Sequence, residues 1–262
     1  MLPIRKRKSI GQHLLINKEV ISNICDFIID NIPGNSYTLF EIGSGEGTIT
    51  LPILKKLKTT PNKPLSIILN EIDYRYTKIL KEKIEKENFN KEFTIEFLNT
   101  PFEKCKLQQE NLYIIGNIPF YITGLVFRKI IQNYEKIINV VINIQKEVVD
   151  KISNPDNPLG IAINIGWEIK KGIIIPPNFY DPKPKVFSQV VLLKTKNQKL
   201  FSEKLIKFVY KIFRNKKKIL KNILNTQEKS LIPEIKILDK RPIHLKIDEI
   251  IELYKTILNH QQ

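Results

Sequence analysis

The chain is poor in cysteine and has no long apolar stretch. Among its 262 residues the two cysteines, Cys25 and Cys105, have neither the spacing of metal ligands nor enough partners for a disulfide framework. No run approaches the roughly 18 consecutive apolar residues of a membrane-spanning helix, because Lys, Asp, Glu or Asn interrupts every Ile-rich stretch. The basic residues 1–8 lack the apolar core of a secretory signal. We therefore expect no metal and no membrane partner, and a reducing compartment such as the cytoplasm or an organelle matrix.

Basic residues outnumber acidic residues in this chain. The 43 Lys and Arg against 27 Asp and Glu give a formal net charge of +16. Such an excess favours a nucleic-acid partner, but a lysine-rich solvated surface accounts for it equally well. The length suits one large or two modest globular domains, and the composition of 42% hydrophobic and 27% charged residues is that of a folded protein. Composition does not distinguish a nucleic-acid partner from a solvated surface, so the sequence motifs are needed to choose between them.

Short apolar strands alternate with helical patterns over the first three quarters of the chain. The strand patterns occupy residues 37–42, 65–69, 93–98, 112–116 and 139–144. Helical patterns lie between them, and one helix precedes the first strand over residues 20–32. This order implies right-handed crossovers and a mostly parallel sheet with helices on both faces. The sequence therefore predicts a doubly wound α/β fold.

The character of the chain changes after Leu193. Residues 194–199 form a polar connection, and the later apolar residues recur at helical spacing, with Ser202 as a plausible N-cap. We therefore predict two domains, an α/β domain over residues 1–196 that carries the basic N-terminal arm and a small, lysine-rich, all-helical domain over residues 197–262.

Three glycines follow the first predicted strand. Gly43, Gly45 and Gly47 open a helix, where glycine allows a tight turn and a close approach to a ligand, although an ordinary strand-to-helix turn accounts for them as well. The next strand ends at Glu71, where a carboxylate can accept hydrogen bonds from both hydroxyls of a ribose. Together these residues indicate a nucleoside site.

Two further carboxylates indicate which nucleoside it is. Glu41 precedes the turn and Glu46 lies within it, so both would repel the pyrophosphate of a dinucleotide. S-adenosylmethionine carries a ribose and an adenine, has no phosphate, and is cationic at sulfur, so it fits this charge pattern. Asn99, at the end of the third strand, is placed to face the adenine with its amide, although a turn-forming Asn before Thr100 and Pro101 is the plain alternative.

A turn of sequence Asn117-Ile118-Pro119-Phe120 ends a buried strand, where open α/β sheets bind ligands. Such a turn suits methylation of an exocyclic amine. The amine could donate to the Asn117 side-chain oxygen and the Ile118 carbonyl, which makes its lone pair available for attack. Phe120 would stack on the flipped base, and Pro119 fixes the turn. For the tetrapeptide alone, an Asn-capped turn with a buried Phe is an equal alternative.

With these motifs in order, the sequence resembles the ribosomal RNA adenine N6,N6-dimethyltransferase family, most closely its small-subunit (KsgA) type. The resemblance runs from about residue 8 to the C-terminus. Six segments in register carry it: Gly11-Gln12-His13-Leu14-Leu15, Glu41-Ile42-Gly43-Ser44-Gly45-Glu46-Gly47, Glu71-Ile72-Asp73, Asn117-Ile118-Pro119-Phe120, Gln145-Lys146-Glu147-Val148, and Pro182-Lys183-Pro184-Lys185-Val186 with Ser188.

The resemblance implies a Rossmann-like methyltransferase core with a helical, rRNA-binding C-terminal domain. It implies two methyl groups on N6 of each of two adjacent adenosines near the 3′ end of small-subunit rRNA, and hence a part in ribosome biogenesis. The partner would be that RNA or the pre-small subunit, and we expect a monomer. The candidate cofactor-binding residues are His13, Leu15, Glu41, Gly43, Gly45, Glu71, Ile72, Asn99 and Asn117. The candidate RNA-binding residues are Lys183, Lys185, Lys216, Lys217, Lys218 and Lys221, for which a solvated loop is the alternative.

The chain departs from the family pattern at four positions. Asn99 replaces the usual Asp, Phe120 the usual Tyr and Leu14 the usual Phe, and Gly124 stands where a bulkier residue is common. These departures bear on activity more than on fold. Two alternative functions therefore stay open: the related large-subunit methyltransferase of macrolide-resistance type, suggested also by Arg128-Lys129-Ile130, and a non-catalytic nucleic-acid-binding relative.

Overall fold

The structure is a computed structural model that describes residues 13–196, 201–232 and 235–259. The predicted basic arm, the pair Gly11 and Gln12, and part of the predicted polar connection lie outside the described residues. The described part of the chain contains nine strands. They are β1 (Leu14–Leu15), β2 (Thr38–Ile42), β3 (Ser66–Asn70), β4 (Ile95–Leu98), β5 (Leu112–Asn117), β6 (Ile137–Gln145), β7 (Trp167–Ile175), β8 (Tyr180–Asp181) and β9 (Ser188–Thr195).

Ten α-helices occur in the described ranges, joined by short 3₁₀ turns. They are α1 (Lys18–Ile29), α2 (Thr50–Thr59), α3 (Tyr74–Lys86), α4 (Thr123–Gln132), α5 (Lys146–Ser153), α6 (Pro158–Gly166), α7 (Glu203–Arg214), α8 (Thr226–Ser230), α9 (Ile235–Leu238) and α10 (Ile247–Asn259). Ser202 caps α7 as predicted, since its side chain accepts a hydrogen bond from the Leu205 backbone N–H. None of the described helices is long and apolar enough to span a bilayer.

Seven strands form one sheet in the order β4-β3-β2-β5-β6-β9-β7, and β1 pairs with β8 in a separate two-stranded sheet. The strands from β4 through β6 are mutually parallel, and β9 runs antiparallel to β6. The predicted parallel α/β sheet is thereby confirmed. The last two strands of the sheet, β9 and β7, were not predicted. The prediction relied on strands that alternate with helices, and no α-helix lies between β7 and β9.

The central strands of the sheet are buried on both faces. Leu39 pairs with Ile67 on one side and Tyr113 on the other, and these side chains join the apolar cluster formed with α1, α2 and α3. The next residue of β2, Phe40, points to the opposite face and is also fully buried. Burial on both faces explains why β2, β3 and β5 read as continuous apolar runs.

The chain divides into two compact units, and the division differs in one segment from the predicted boundary at residue 196. Among the described residues, those up to 149 and those from 168 to 195 form the first unit, and residues 150–167 and those from 196 onward form the second. Residues 150–167 group with the C-terminal helices because α6 packs against α7 and α10 within the second unit. Trp167 contributes to the same packing, with its ring 5.2 Å from that of Phe201 in an edge-to-face arrangement.

Candidate active site

A cleft opens in the first unit at the carboxyl ends of β2, β3 and β5. The turn after β2, the residues that follow β3, the turn after β5 and the β1 segment line it. The chain proceeds outward from β2 through β3 to β4 and then returns to β5 on the other side of β2. The cleft therefore lies where the strand order reverses, which is the position at which open α/β sheets bind ligands.

The turn after β2 depends on its three glycines. Gly43, Gly45 and Gly47 all have positive φ, at +70°, +54° and +94°. Such angles are costly for residues with a Cβ atom. The backbone N–H groups of Gly43 and Ser44 donate to the Asn70 carbonyl over 2.8 and 3.0 Å, which ties the turn to the end of β3.

Glu71 lies directly against this turn. Its Oε2 accepts from the Gly45 N–H at 3.0 Å, and its Oε1 accepts from the Asp73 N–H at 2.9 Å. Burial raises the pKa of this carboxyl, and the backbone N–H groups of Asp73, Gly45 and Ile72 oppose that shift. Because each carboxylate oxygen has two lone pairs, both oxygens can still accept a hydrogen bond from a ligand hydroxyl.

Glu41 is a second buried carboxyl in the cleft, with 2% of its surface exposed. Burial raises its pKa to about 7, a hydrogen bond from Thr50 opposes the shift, and the charge of Glu71 adds to it. The Thr50 hydroxyl donates to Glu41 Oε2 over 2.6 Å. Glu41 therefore titrates near neutrality, so a cation bound beside it would favour the ionised form.

The cleft is acidic although the protein is strongly basic. Four glutamates line it, Glu41, Glu46, Glu71 and Glu103, and none of its lining residues in the described ranges is Lys or Arg. Lys83 binds Glu46 from outside the lining set, at 3.2 Å from the carboxylate. Because phosphate sites in proteins use basic side chains or free backbone N–H groups, this lining suits a cation and opposes a phosphate-bearing cofactor.

The residues present fit S-adenosylmethionine, the cofactor predicted from the sequence. Carboxylates are available for the ribose hydroxyls and the cationic groups. The Ser44 hydroxyl, on a residue that lines the cleft, is buried without a hydrogen-bond partner among the described residues, so a ligand could satisfy it. Within the same described ranges, no three His, Cys, Asp or Glu side chains lie close enough together to hold a metal ion.

Two other predicted cofactor residues differ in their placement. Ile72 lines the cleft and is 55% exposed, so its apolar surface is available to a ligand. Asn99 is not among the lining residues, although Thr100 and Pro101 are. Its Nδ2 donates to the Glu71 carbonyl at 3.0 Å and contacts the Thr77 hydroxyl at 2.6 Å. Since the amide nitrogen is used within the protein, Asn99 can offer only its oxygen to a ligand.

The Asn-Ile-Pro-Phe turn lies next to the glycine turn, because β5 and β2 are neighbouring strands, and a Cβ atom on Gly43 would lie 3.9 Å from Pro119 Cδ. Asn117 ends β5, is half-buried and lines the cleft together with Ile118, Pro119 and Phe120. Its Oδ1 accepts from Asn143 Nδ2 at 2.7 Å, and the Ile118 backbone N–H donates to the Asn143 carbonyl at 3.0 Å. The Asn117 side-chain oxygen therefore keeps one lone pair, and the Ile118 carbonyl follows it in the same turn.

The β1 segment places His13 beside this turn. The His13 ring lies 5.6 Å from the Phe120 ring at a tilt of 41°. His13 Nδ1 donates to the Pro182 carbonyl at 2.6 Å. Leu15 is buried and pairs with Tyr180 through the β1–β8 sheet. Segments far apart in sequence thus meet at one side of the cleft.

Comparison with known proteins assigns the family. The profile of the family described as ribosomal RNA adenine dimethylase matches residues 4–258. The chain is 32% identical over 226 residues to the ribosomal RNA small subunit methyltransferase A of Mycoplasma mobile, an alignment that covers 83% of this chain and 82% of the relative. The chain belongs to the ribosomal RNA adenine dimethylase family. The resemblance inferred from the six segments is confirmed.

Solved structures agree with this family at the level of the fold. A dimethyladenosine transferase from Plasmodium falciparum superposes with a TM-score of 0.76 at 20% identity, over 95% of this chain and 98% of that chain. The 23S rRNA methyltransferase ErmE superposes with a TM-score of 0.66 at 16% identity, over 93% of this chain and 99% of that chain. At these identities the matches establish the Rossmann-like methyltransferase fold and nothing finer.

The lysines predicted to bind RNA occur in both units of this dimethylase-family chain. Lys183 and Lys185 are exposed on either side of the buried Pro184, in the segment between β8 and β9 of the first unit. The second unit carries the others on its surface, in the turn and 3₁₀ helix after α7: Lys216, Lys217, Lys218 and Lys221. All six side chains are accessible to a partner.

Sequence patterns missed several residues of the site. Tyr76, Phe102, Tyr121 and Tyr180 line the cleft, and Tyr121 is 58% exposed there. No periodicity marks them, since they lie in turns or at element ends. Asn143 gave one usable signal: it is an amide within the Val- and Ile-rich run of β6, where an apolar residue is expected.

Proposed function

We propose that this chain is an S-adenosylmethionine-dependent rRNA adenine dimethyltransferase of small-subunit type. It would place two methyl groups on N6 of each of two adjacent adenosines near the 3′ end of small-subunit rRNA. The observation that carries the proposal is that the Asn-Ile-Pro-Phe turn and the Glu71 carboxylate line one cleft, which has no Lys or Arg among its described lining residues. The curated relatives support the small subunit as the target, because they are named for it.

The cofactor would be held by the residues around the glycine turn. Glu71 would accept from the two ribose hydroxyls, and Glu41 would offset the positive charge of the methionine portion. The Asn99 oxygen would accept from the adenine amine. The exposed face of Ile72 would pack on the adenine ring, and Gly43 and Gly45 allow close approach of the backbone. His13 and Leu15 would close the other side.

S-adenosylmethionine supplies a methyl group on a cationic sulfur, which is a strong electrophile. The chain would prepare the adenine amine to attack it. The N6–H groups would donate to the remaining lone pair of Asn117 Oδ1 and to the Ile118 carbonyl, so that the nitrogen lone pair leaves conjugation with the ring. No strong base is needed, because the methylated amine can lose its proton to water.

Phe120 would stack on the target adenine once the base has left its neighbours. Its tilted contact with His13 supports the proposal, because it limits where the Phe120 ring can lie. Six exposed lysines would attract the RNA backbone without regard to sequence: Lys183, Lys185, Lys216, Lys217, Lys218 and Lys221.

The test is methyl transfer from labelled S-adenosylmethionine to purified, unmethylated small subunits. We expect label in N6,N6-dimethyladenosine, and none when large subunits are offered. Label on the large subunit alone would favour the macrolide-resistance type of enzyme. Saturable cofactor binding in calorimetry without transfer to any ribosomal RNA would contradict the proposed activity, and absence of both would favour a non-catalytic RNA-binding protein.

A further inference from the structure

Asn143 is a buried amide in the middle of the apolar strand β6. It is 2% exposed, and its neighbours Ile142 and Ile144 are fully buried. Its Oδ1 has no hydrogen-bond partner among the described residues. An amide in such a position costs stability that Leu or Val would not cost. A role outside the packing of the strand would explain why an amide occupies this position.

The hydrogen bonds of Asn143 indicate such a role, because two of them bind the turn that carries Asn117. Asn143 Nδ2 donates to Asn117 Oδ1 and to the Tyr180 hydroxyl, each at 2.7 Å. The Tyr180 hydroxyl in turn lies 2.6 Å from Ser188 Oγ, within hydrogen-bond distance. The Asn143 backbone carbonyl accepts from the Ile118 N–H at 3.0 Å. One residue thus holds both a side chain and the backbone of the turn.

The contact between the two side chains fixes which atom of the Asn117 amide, the oxygen or the nitrogen, lies toward Asn143. A free Asn amide can rotate by a half turn and exchange its oxygen and nitrogen. Both N–H groups of Asn143 Nδ2 are used, one toward Tyr180 and one toward Asn117, and an N–H group can only donate. With the Asn143 amide in this orientation, the Asn117 oxygen lies on the Asn143 side, because a rotated Asn117 would bring two donors together.

We infer that Asn143 is a positioning residue for methyl transfer, which sets the amide orientation of Asn117 so that its oxygen is the acceptor for the target amine. The inference rests on the proposed function. It assigns Asn143 no contact with RNA or cofactor, since it acts through Asn117. Its loss should therefore slow the chemical step and leave both binding steps unchanged.

The same strand offers a matched control. Asn139 is also an amide of β6, is 6% exposed, and donates through Nδ2 to the Asn31 carbonyl at 2.9 Å. It does not line the cleft. Asn143→Leu and Asn139→Leu therefore remove the same kind of buried group from the same element, and only the first touches Asn117.

The experiment measures single-turnover methylation of small subunits at saturating cofactor. We expect Asn143→Leu to lower the rate at least roughly tenfold, with the Kd values for cofactor and RNA within about twofold of wild type. Asn139→Leu should keep the wild-type rate. Equal rates for the two variants would overturn the inference. If Asn143→Leu does not fold, Asn143→Asp takes its place, because it keeps the size of the side chain and presents an oxygen instead of an N–H group to Asn117, and an unchanged rate would equally overturn the inference.

A double-mutant cycle with Asn117→Ala separates positioning from general loosening of the site. If Asn143 acts through Asn117, Asn143→Leu should cause no further loss in the Asn117→Ala background, whereas additive losses would overturn the inference. NMR of the side-chain amide groups, with nitrogen-15 in asparagine, adds a readout that needs no activity. The chemical shift of the Asn117 side-chain amide should change in Asn143→Leu and not in Asn139→Leu. An unchanged Asn117 shift in Asn143→Leu would overturn the inference. Failure of the wild-type protein to methylate RNA would refute only the proposed function.

Discussion

Asn117 is the side chain that would contact the target amine directly. Asn117→Ala removes the oxygen that accepts from the target amine, a hydrogen bond that strengthens as the reaction proceeds. We expect turnover to fall by about 10²-fold or more, the scale seen when a single transition-state hydrogen bond is lost. RNA affinity, measured by filter binding, should be nearly unchanged. Turnover at the wild-type level would show that Asn117 is not the partner of the amine.

Phe120 contributes an aromatic face rather than a hydrogen bond. Phe120→Ala should weaken capture of the target base by about 1–3 kcal/mol, the usual contribution of a base stacked on an aromatic side chain. Fluorescence of 2-aminopurine at the target position reports this step, and Phe120→Tyr is the control because it keeps the ring. Equal capture by the Ala variant and the wild type would exclude stacking.

Glu41 gives a pH dependence of defined sign. Its folded-state pKa is raised to about 7 from 4.5, so the folded protein holds this proton more tightly than the unfolded chain does. Well below pH 4.5 this carboxyl is protonated in both states, so its ionisation contributes nothing to the free energy of unfolding. As pH rises toward 7 the unfolded state ionises first, so wild-type stability falls relative to Glu41→Gln, by on the order of 3 kcal/mol at most, and the difference is constant above 7.

Denaturant unfolding of both proteins between pH 4 and 8.5 measures that difference. A gap that does not grow between pH 4.5 and 7 would show that the Glu41 pKa is normal. The same titration should appear in cofactor affinity, because a cation binds better beside an ionised carboxylate. Affinity for S-adenosylmethionine should rise through pH 7 in the wild type and stay flat in Glu41→Gln.

At the scale of elements, the turn after β2 leaves no free space for a side chain at Gly47. A Cβ atom on Gly47 would lie 2.6 Å from Leu80 Cδ1, and its φ of +94° strains any other residue. Gly47→Ala should therefore lower stability and weaken cofactor binding together. The control is Gly124 in α4, where an added Cβ meets nothing within 4 Å.

Gly124→Ala should raise stability by roughly 0.4–1 kcal/mol, since alanine restricts the unfolded chain and favours the helix. Thermal unfolding of the two variants, with and without S-adenosylmethionine, measures both effects. The same direction of change in both variants would contradict the assigned local structures.

The elements differ in how far sequence patterns revealed them. The strands β2, β3 and β5 were predicted within a residue or two at each end, because burial on both faces leaves continuous apolar runs bounded by turn residues. The strand β7 was not predicted. Its mixed pattern of exposed and buried residues follows its position at the sheet edge, which no local pattern specifies.

At the scale of the whole molecule, charge is distributed unequally between the cleft and the surface. The acidic cleft suits a cationic cofactor, and exposed lysines suit RNA. Replacing Lys216, Lys217 and Lys218 by Gln should flatten the dependence of log K for RNA on log salt, by up to roughly 0.7 to 0.9 per lost phosphate contact.

A control with equal loss of charge uses Lys55, Lys56 and Lys58, which are paired with Glu87, Asp26 and Glu92 at 3.0, 2.6 and 2.6 Å. Replacing these three should change the salt dependence much less. Identical slopes for the two triple variants would show that net charge, rather than a surface after α7, attracts the RNA.

The amino-acid sequence by itself determined the alternation of strands and helices, the glycine turn, the acidic residues near it and the order of the motifs. These features are local, because periodicity and turn chemistry involve residues a few positions apart. The tertiary structure alone decided which distant residues meet. His13 contacts Pro182, 169 positions away, because β1 pairs with β8, and Asn143 reaches Asn117 because β5 and β6 are adjacent in the sheet. Strand order and loop paths fix such contacts, and both follow from packing the whole chain.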